Sequence, residues 1–142
     1  MPSELPQSNS PDSCFEQLWL TQTGQLGRGT TRNVYTLRDW SDVVLKVSCT
    51  PSNFTNWAEI VAYHFNKESN ALARVVTWSW SGKFLVMEKL TPLEKGALDK
   101  YRFPDFLTDR KPENYGRDKE GNIKALDFGS LKFTQFTLSE FV

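Results

Sequence analysis

Histidine, cysteine, surplus charge and long apolar runs are all scarce in this 142-residue chain, and each shortage closes off a kind of chemistry. His64 is the only histidine, and Cys14 and Cys49 are the only thiols, without metal-ligand spacing. That set supplies neither a structural zinc site nor Cys/His or Ser/His nucleophilic machinery. Both cysteines read as buried or idle thiols. Lysine plus arginine and aspartate plus glutamate number 17 each, so the formal net charge is zero. A nucleic-acid or acidic-lipid partner would favour a basic surplus, so neither nucleic acid nor membrane is expected. Apolar runs such as Phe84 to Met87 are far too short to span a bilayer. Met1 to Asp12 is polar and rich in proline and serine, unlike a signal peptide, and the expected location is cytoplasmic.

What is present suits a folded chain. Aromatics make up 13% and hydrophobic residues 39%, in a length that fits one domain with one modest core. Residues 1–12 read as a disordered tail and 13–142 as the domain. "EQLWLTQTGQ" alternates weakly and suits a first strand, which "LGRGTT" breaks at two glycines. "NVYTLR" and "DVVLKVS" read as the second and third strands. Pro51, Ser52 and Asn53 open a helix whose apolar face is Trp57, Ile60/Val61 and His64/Phe65. "ARVVTWSW" and "KFLVMEKL" follow as two strands joined at Ser81-Gly82. A short helical piece is expected over Leu93 to Tyr101, and "GRDKEGNIKALDFG" reads as a turn between two short strands. The expected class is α+β, a five-stranded antiparallel lobe with one helix after the third strand.

Several residues invite chemistry. Gly27 and Gly29 form G-x-G between two strands, where backbone amides could approach phosphates, although a plain hairpin turn explains them as well. Lys46 lies inside the apolar run Val43 to Val47, either as a solvated edge residue or as a cation that holds phosphates. Glu59, taken alone, is a surface glutamate of the helix. "LTDRKPENYG" is more specific. Asp109 and Asn114 stand there, and Asp127-Phe128-Gly129 follows a hairpin later. One aspartate can accept a hydroxyl proton while the asparagine and the second aspartate ligate magnesium through hard oxygens.

In this order the pieces resemble the protein-kinase superfamily, over roughly Leu18 to Phe133. "LGRGTTRNVY" is similar to the Gly-rich loop, "VVLK" to the strand lysine, "FLVMEKL" to gatekeeper and hinge, "TDRKPEN" to the catalytic loop and "LDFG" to the magnesium loop. The resemblance implies ATP and Mg²⁺ as cofactors. It implies that Lys46 grips the α/β-phosphates, that Glu59 orients Lys46, and that Asp109 positions the acceptor hydroxyl with Lys111 near the transferred phosphate. Asn114 and Asp127 would hold the metal. Adenine would stack between Leu26, Val34 and Val44 on one side and Tyr115 or Ile123 on the other. Met87 would be the gatekeeper, with backbone at Glu88 and Leu90 meeting the base edge. The lobe would span about 16–88, the hinge 88–92 and a reduced C-terminal part 93–142.

The chain departs from that pattern. Arg32 stands where kinases have a third glycine, and Leu107-Thr108 replace the His-Arg of H-R-D. Thr91 to Thr108 leaves no room for the two helices usual before the catalytic loop. After Gly129 comes only "SLKFTQFTLSEFV", without A-P-E or a peptide-docking lobe. Such compactness looks like the atypical kinases of bacteriophages and bacterial effectors. Two functions follow. One is phosphoryl transfer to a hydroxyl, Ser or Thr of a protein, which is a host protein for an effector. The other is a weak or inactive pseudokinase module that inhibits or tethers a partner. The apolar strip Phe133, Phe136, Leu138, Phe141 and Val142 either seals the underside of the catalytic loop or forms an interface, including one for a homodimer.

Overall fold

The computed structural model describes residues 5–28, 32–48, 55–66, 71–103 and 112–126. Its elements are α1 (Asp12–Gln22), β1 (Thr23–Arg28), β2 (Arg32–Leu37), β3 (Trp40–Ser48), α2 (Thr55–Asn66), β4 (Val75–Trp78), β5 (Phe84–Glu88), β6 (Thr91–Pro92), β7 (Tyr115–Arg117) and β8 (Ile123–Ala125), with a 3-10 turn at Pro112–Asn114. The class is α+β with two antiparallel sheets. The chain divides into two compact units, Met1–Trp57 with Arg74–Lys89, and Ala58–Ala73 with Leu90–Val142. Among the described residues, no helix is long and apolar enough to cross a membrane.

The first unit is built on a five-stranded sheet ordered β1-β2-β3-β5-β4. β3 lies at its centre and is buried from Val43 to Ser48, which explains its near-continuous apolar run. Its side chains alternate between faces. Val43, Leu45 and Val47 join Leu37, Phe84 and Val86 in one core cluster with Phe15 and Leu18. Phe15 stacks on Phe84 with ring centroids 6.1 Å apart, and Trp19 meets the same ring edge-on at 5.7 Å.

Phe15 and Leu18 belong to α1, where the sequence suggests a strand. Phe15, Leu18 and Trp19 recur at helical spacing, and this stripe faces the sheet while Leu20 on the other side is 78% exposed. The strand-like alternation of "EQLWLTQ" is weak beside that packing, and β1 begins only at Thr23. The segment before α1 is also held in place, where composition suggests a tail. The Asn9 amide donates to Trp78 O at 2.9 Å, the Trp80 amide to Ser10 O at 2.8 Å, and Thr77 Oγ1 to Pro6 O at 2.7 Å. These bonds run along β4, the outer strand of the sheet, and cover backbone groups that an edge otherwise exposes. Asp12 then fastens the start of α1 by accepting from Ser81 Oγ at 2.6 Å. Burial works against the Asp12 charge, but the Ser81 and Ser79 hydrogen bonds outweigh it and hold the carboxyl below its ordinary value.

The second unit carries the sheet β6-β7-β8. Gly116 makes the β6–β7 pairing feasible, because a Cβ there would stand 2.6 Å from Leu90 Cβ and 2.7 Å from Thr91 O. On the far side, Ala71 and Ala73 exchange backbone hydrogen bonds with Ala125 at 2.8 Å each. Tyr115, 2% exposed, packs edge-on against Tyr101 and Phe103. The helix expected over Leu93 to Tyr101 is a series of turns. Amides of Ala97, Asp99 and Tyr101 bond back three residues, and Gly96 takes φ +80°, outside the helical region.

Candidate functional site

In the first unit the register gathers four of the expected residues. Val34 pairs with Lys46 across β2–β3, and Val44 pairs with Met87 across β3–β5. Cross-strand partners share a face and so do residues two apart, so Val34, Val44, Lys46 and Met87 lie on one face of three neighbouring strands. That face is opposite the α1 cluster. Lys46 is 3% exposed on the central strand, so the solvated-edge reading of this lysine does not hold. Glu59 corrects the surface expectation in the same way, being fully buried in α2. A buried ion costs several kcal/mol unless compensated, so each of these charges sits where a folding sequence would ordinarily place an apolar side chain.

Other expected positions are less gathered. Leu26 and Gly27 lie in β1, across a register shift between Gln25 and Gly27. The Glu88 amide donates to Arg74 O at 2.8 Å, and Glu88 Oε1 accepts from the Arg74 amide at 3.0 Å. Gly29, Asp109, Lys111 and Asp127 lie outside the described residues, as does the C-terminal apolar strip. Cys14 is an exposed free thiol.

In the second unit the β7–β8 hairpin organises the region of the expected metal ligands. Tyr115 pairs with Ala125, and just beyond that pair the Leu126 amide donates to Asn114 O at 2.9 Å. Asn114 is thereby bonded to the residue that precedes Asp127 in the sequence. An amide oxygen and a carboxylate oxygen are hard donors of the kind magnesium takes. Among the described residues, no group of three His, Cys, Asp or Glu side chains could hold a metal. Leu90 is buried beside Gly116, and Tyr115 is enclosed by its aromatic neighbours, whereas Ile123 is half-buried.

The hairpin turn is rigid for a polar reason. Asp118 Oδ1 accepts the Glu120 and Asn122 amides, each at 2.9 Å, and Oδ2 lies 3.1 Å from Lys124 Nζ. Burial raises the Asp118 pKa, but these donors outweigh it and bring the carboxyl down to about 2. Arg117 closes the outside of the turn, donating to Gly121 O at 2.7 Å and pairing with Glu94. The Arg117 hydrogen bonds pull Glu94 down to about 2 as well.

The sequence reading missed one polar cluster. Arg32 was notable only as a missing glycine and Asn56 not at all, yet both are buried. Arg32 Nη1 donates to Asn56 Oδ1 at 3.1 Å, and Asn56 Nδ2 donates to Lys46 O at 3.2 Å, Gly82 O at 2.9 Å and Lys83 O at 3.0 Å. An asparagine in a first helical turn carries no pattern that marks it as buried.

No known protein family and no curated protein matches this sequence. Among solved structures, the chain is similar to WbdD in its complex with the kinase inhibitor LY294002, with 16% identity and a TM-score of 0.42. That match covers 80% of this chain and 35% of WbdD.

Proposed function

We propose that the chain binds Mg·ATP and transfers its terminal phosphoryl group to a hydroxyl, Ser or Thr of a protein partner. The observation that carries this reading is Lys46, a buried cation on the central strand, sharing one sheet face with the apolar Val34, Val44 and Met87. A lysine beside an apolar slot is what a nucleotide site needs, a flat surface for the base next to a point charge for phosphate. Glu59 is the carboxylate that orients Lys46 in this reading. Asn114 and Asp127 are the residues that would hold magnesium, which when bound neutralises phosphate charge. The Asn114–Leu126 bond supports the pairing of those two ligands. Asp109 orients the acceptor hydroxyl and receives its proton, and Lys111 stands near the phosphoryl group in transfer.

A second reading is favoured by the turns at residues 95–100, where a helix would begin a peptide-docking platform. In it the chain holds a partner protein without transferring phosphate. Labelled ATP with Mg²⁺ separates the two. Transfer predicts label on the protein itself or on a lysate component, lost in Asp109→Asn while nucleotide binding survives. Label that persists in Asp109→Asn would refute the catalytic assignment, and binding without any label would favour the second reading.

A further inference from the structure

We infer that Asn56 is a positioning residue for Lys46 and that Arg32 fixes the direction in which it acts; this rests on the reading of Lys46 as the phosphate-binding cation. Asn56 is fully buried in the first turn of α2, and its amide has one orientation open to it. Oδ1 faces the Arg32 guanidinium and Nδ2 faces three carbonyls, those of Lys46, Gly82 and Lys83. Turned over, the amide would set donors against a guanidinium that has only donors, and an acceptor against three acceptors. Arg32 thus acts as the key that locks the amide, and the two Nδ2 protons are shared among the three carbonyls.

The same helical turn is fastened a second time. Trp57 Nε1 donates to Ser81 O at 2.9 Å, and Gly82, at φ +78°, lies so close to the indole that any Cβ there would overlap it. Both consecutive residues of α2 therefore grip the Ser81–Lys83 turn. Asn56 extends that grip to the backbone of Lys46 and, through Arg32, to the start of β2. A lysine side chain is a flexible four-carbon stem, so the place of its ammonium depends on how firmly its own peptide unit is held. The Lys46 carbonyl is held by a side chain of the helix that carries Glu59 three residues further on. Where a surface asparagine would be replaceable, a buried amide with every group matched leaves unpaired donors and acceptors behind when it is removed.

The test compares full-length wild type with Asn56→Leu, which keeps the size and loses every hydrogen bond, and Asn56→Asp, which keeps the acceptor for Arg32 but cannot donate. Calorimetric titrations with adenosine and with Mg·ATP separate base binding from phosphate binding. The positioning role predicts that adenosine affinity stays within about twofold, while Mg·ATP affinity falls about tenfold in both variants. Lys46→Met should lose at least as much, and Asn56→Leu added to Lys46→Met should then cost no further Mg·ATP affinity. If Asn56→Leu does not fold, Asn56→Asp and Arg32→Gln carry the comparison, each with a melting curve taken first. Equal losses for adenosine and Mg·ATP, or no loss in a folded variant, would overturn the role of Asn56 and leave the nucleotide reading standing. A wild type that binds neither probe would overturn that reading, and the role of Asn56 with it.

Discussion

The two units of this chain are held together by different physics. The five-stranded unit has an apolar cluster of eight buried side chains, with α1 packed on one sheet face, and its strands pair over three to six residues per ladder. The three-stranded unit pairs over two or three residues per ladder and relies on a backbone-to-carboxylate turn, an aromatic trio and one glycine that lets two strands approach. Hydrophobic burial is spread over many atoms and tolerates local error, whereas a small polar turn depends on a few exact partners. The residues expected from sequence fall in both units, each with its own kind of support. Lys46, Val34, Val44 and Met87 stand on regular strands, and Asn114 stands at the mouth of the polar hairpin.

The largest way to break the first unit is Phe84→Ala. Phe84 is fully buried against Phe15 and Trp19, so its removal should cost about 3–5 kcal/mol in urea unfolding. A cost below about 1 kcal/mol would contradict the core described for that unit. The second unit should break at Gly116→Ala, where the new methyl would press on Leu90 Cβ and the Thr91 carbonyl. Overpacking of this kind costs about 1–3 kcal/mol. If the two units unfold separately, this variant should shift only one of two transitions, and Phe84→Ala only the other.

The smallest effect sharpens the contrast through pH. The Asp118 carboxyl is lowered from 3.8 to about 2 by the turn amides and Lys124 acting against burial. A group depressed in the folded state contributes stability above its unfolded pKa and loses it as pH falls through the folded one. Asp118→Asn should therefore cost on the order of 1 kcal/mol at neutral pH, and that cost should shrink between pH 3.8 and about 2. Urea midpoints of both proteins measured from pH 6 to pH 2 check this. A cost that is constant across the range would assign the residue a shape role instead.

Strands with unbroken β-branched runs were legible from sequence. β4 and β5 fall within the segments expected, β2 and β3 overlap theirs but begin at Arg32 and Trp40, ahead of them, and the helix after the third strand is α2. The β7–β8 hairpin was legible too, as the turn between two short strands expected over "GRDKEGNIKALDFG". α1 was not, because seven residues of weak alternation hide an i, i+3, i+4 stripe whose meaning depends on the sheet it covers. The turns at residues 95–100 escaped because Gly96 breaks an otherwise helix-compatible composition. Within the site, residue types and their order could be read, but burial could not. A lysine in an apolar run and a glutamate in a helix look alike whether exposed or buried, and only the central place of β3 and the packing of α2 decide it. The Arg32–Asn56 pair joins residues 24 apart and has no local signature at all.

In the proposed function, Lys46, the buried lysine of β3, binds the phosphates of a nucleotide. Isothermal titration of wild type and Lys46→Met with Mg·ATP tests it most directly. Saturable binding by the wild type is expected, together with a raised melting temperature, and at least a tenfold weaker interaction in a folded Lys46→Met protein. A flat wild-type titration, or a Lys46→Met variant that binds Mg·ATP as tightly as the wild type, would contradict it.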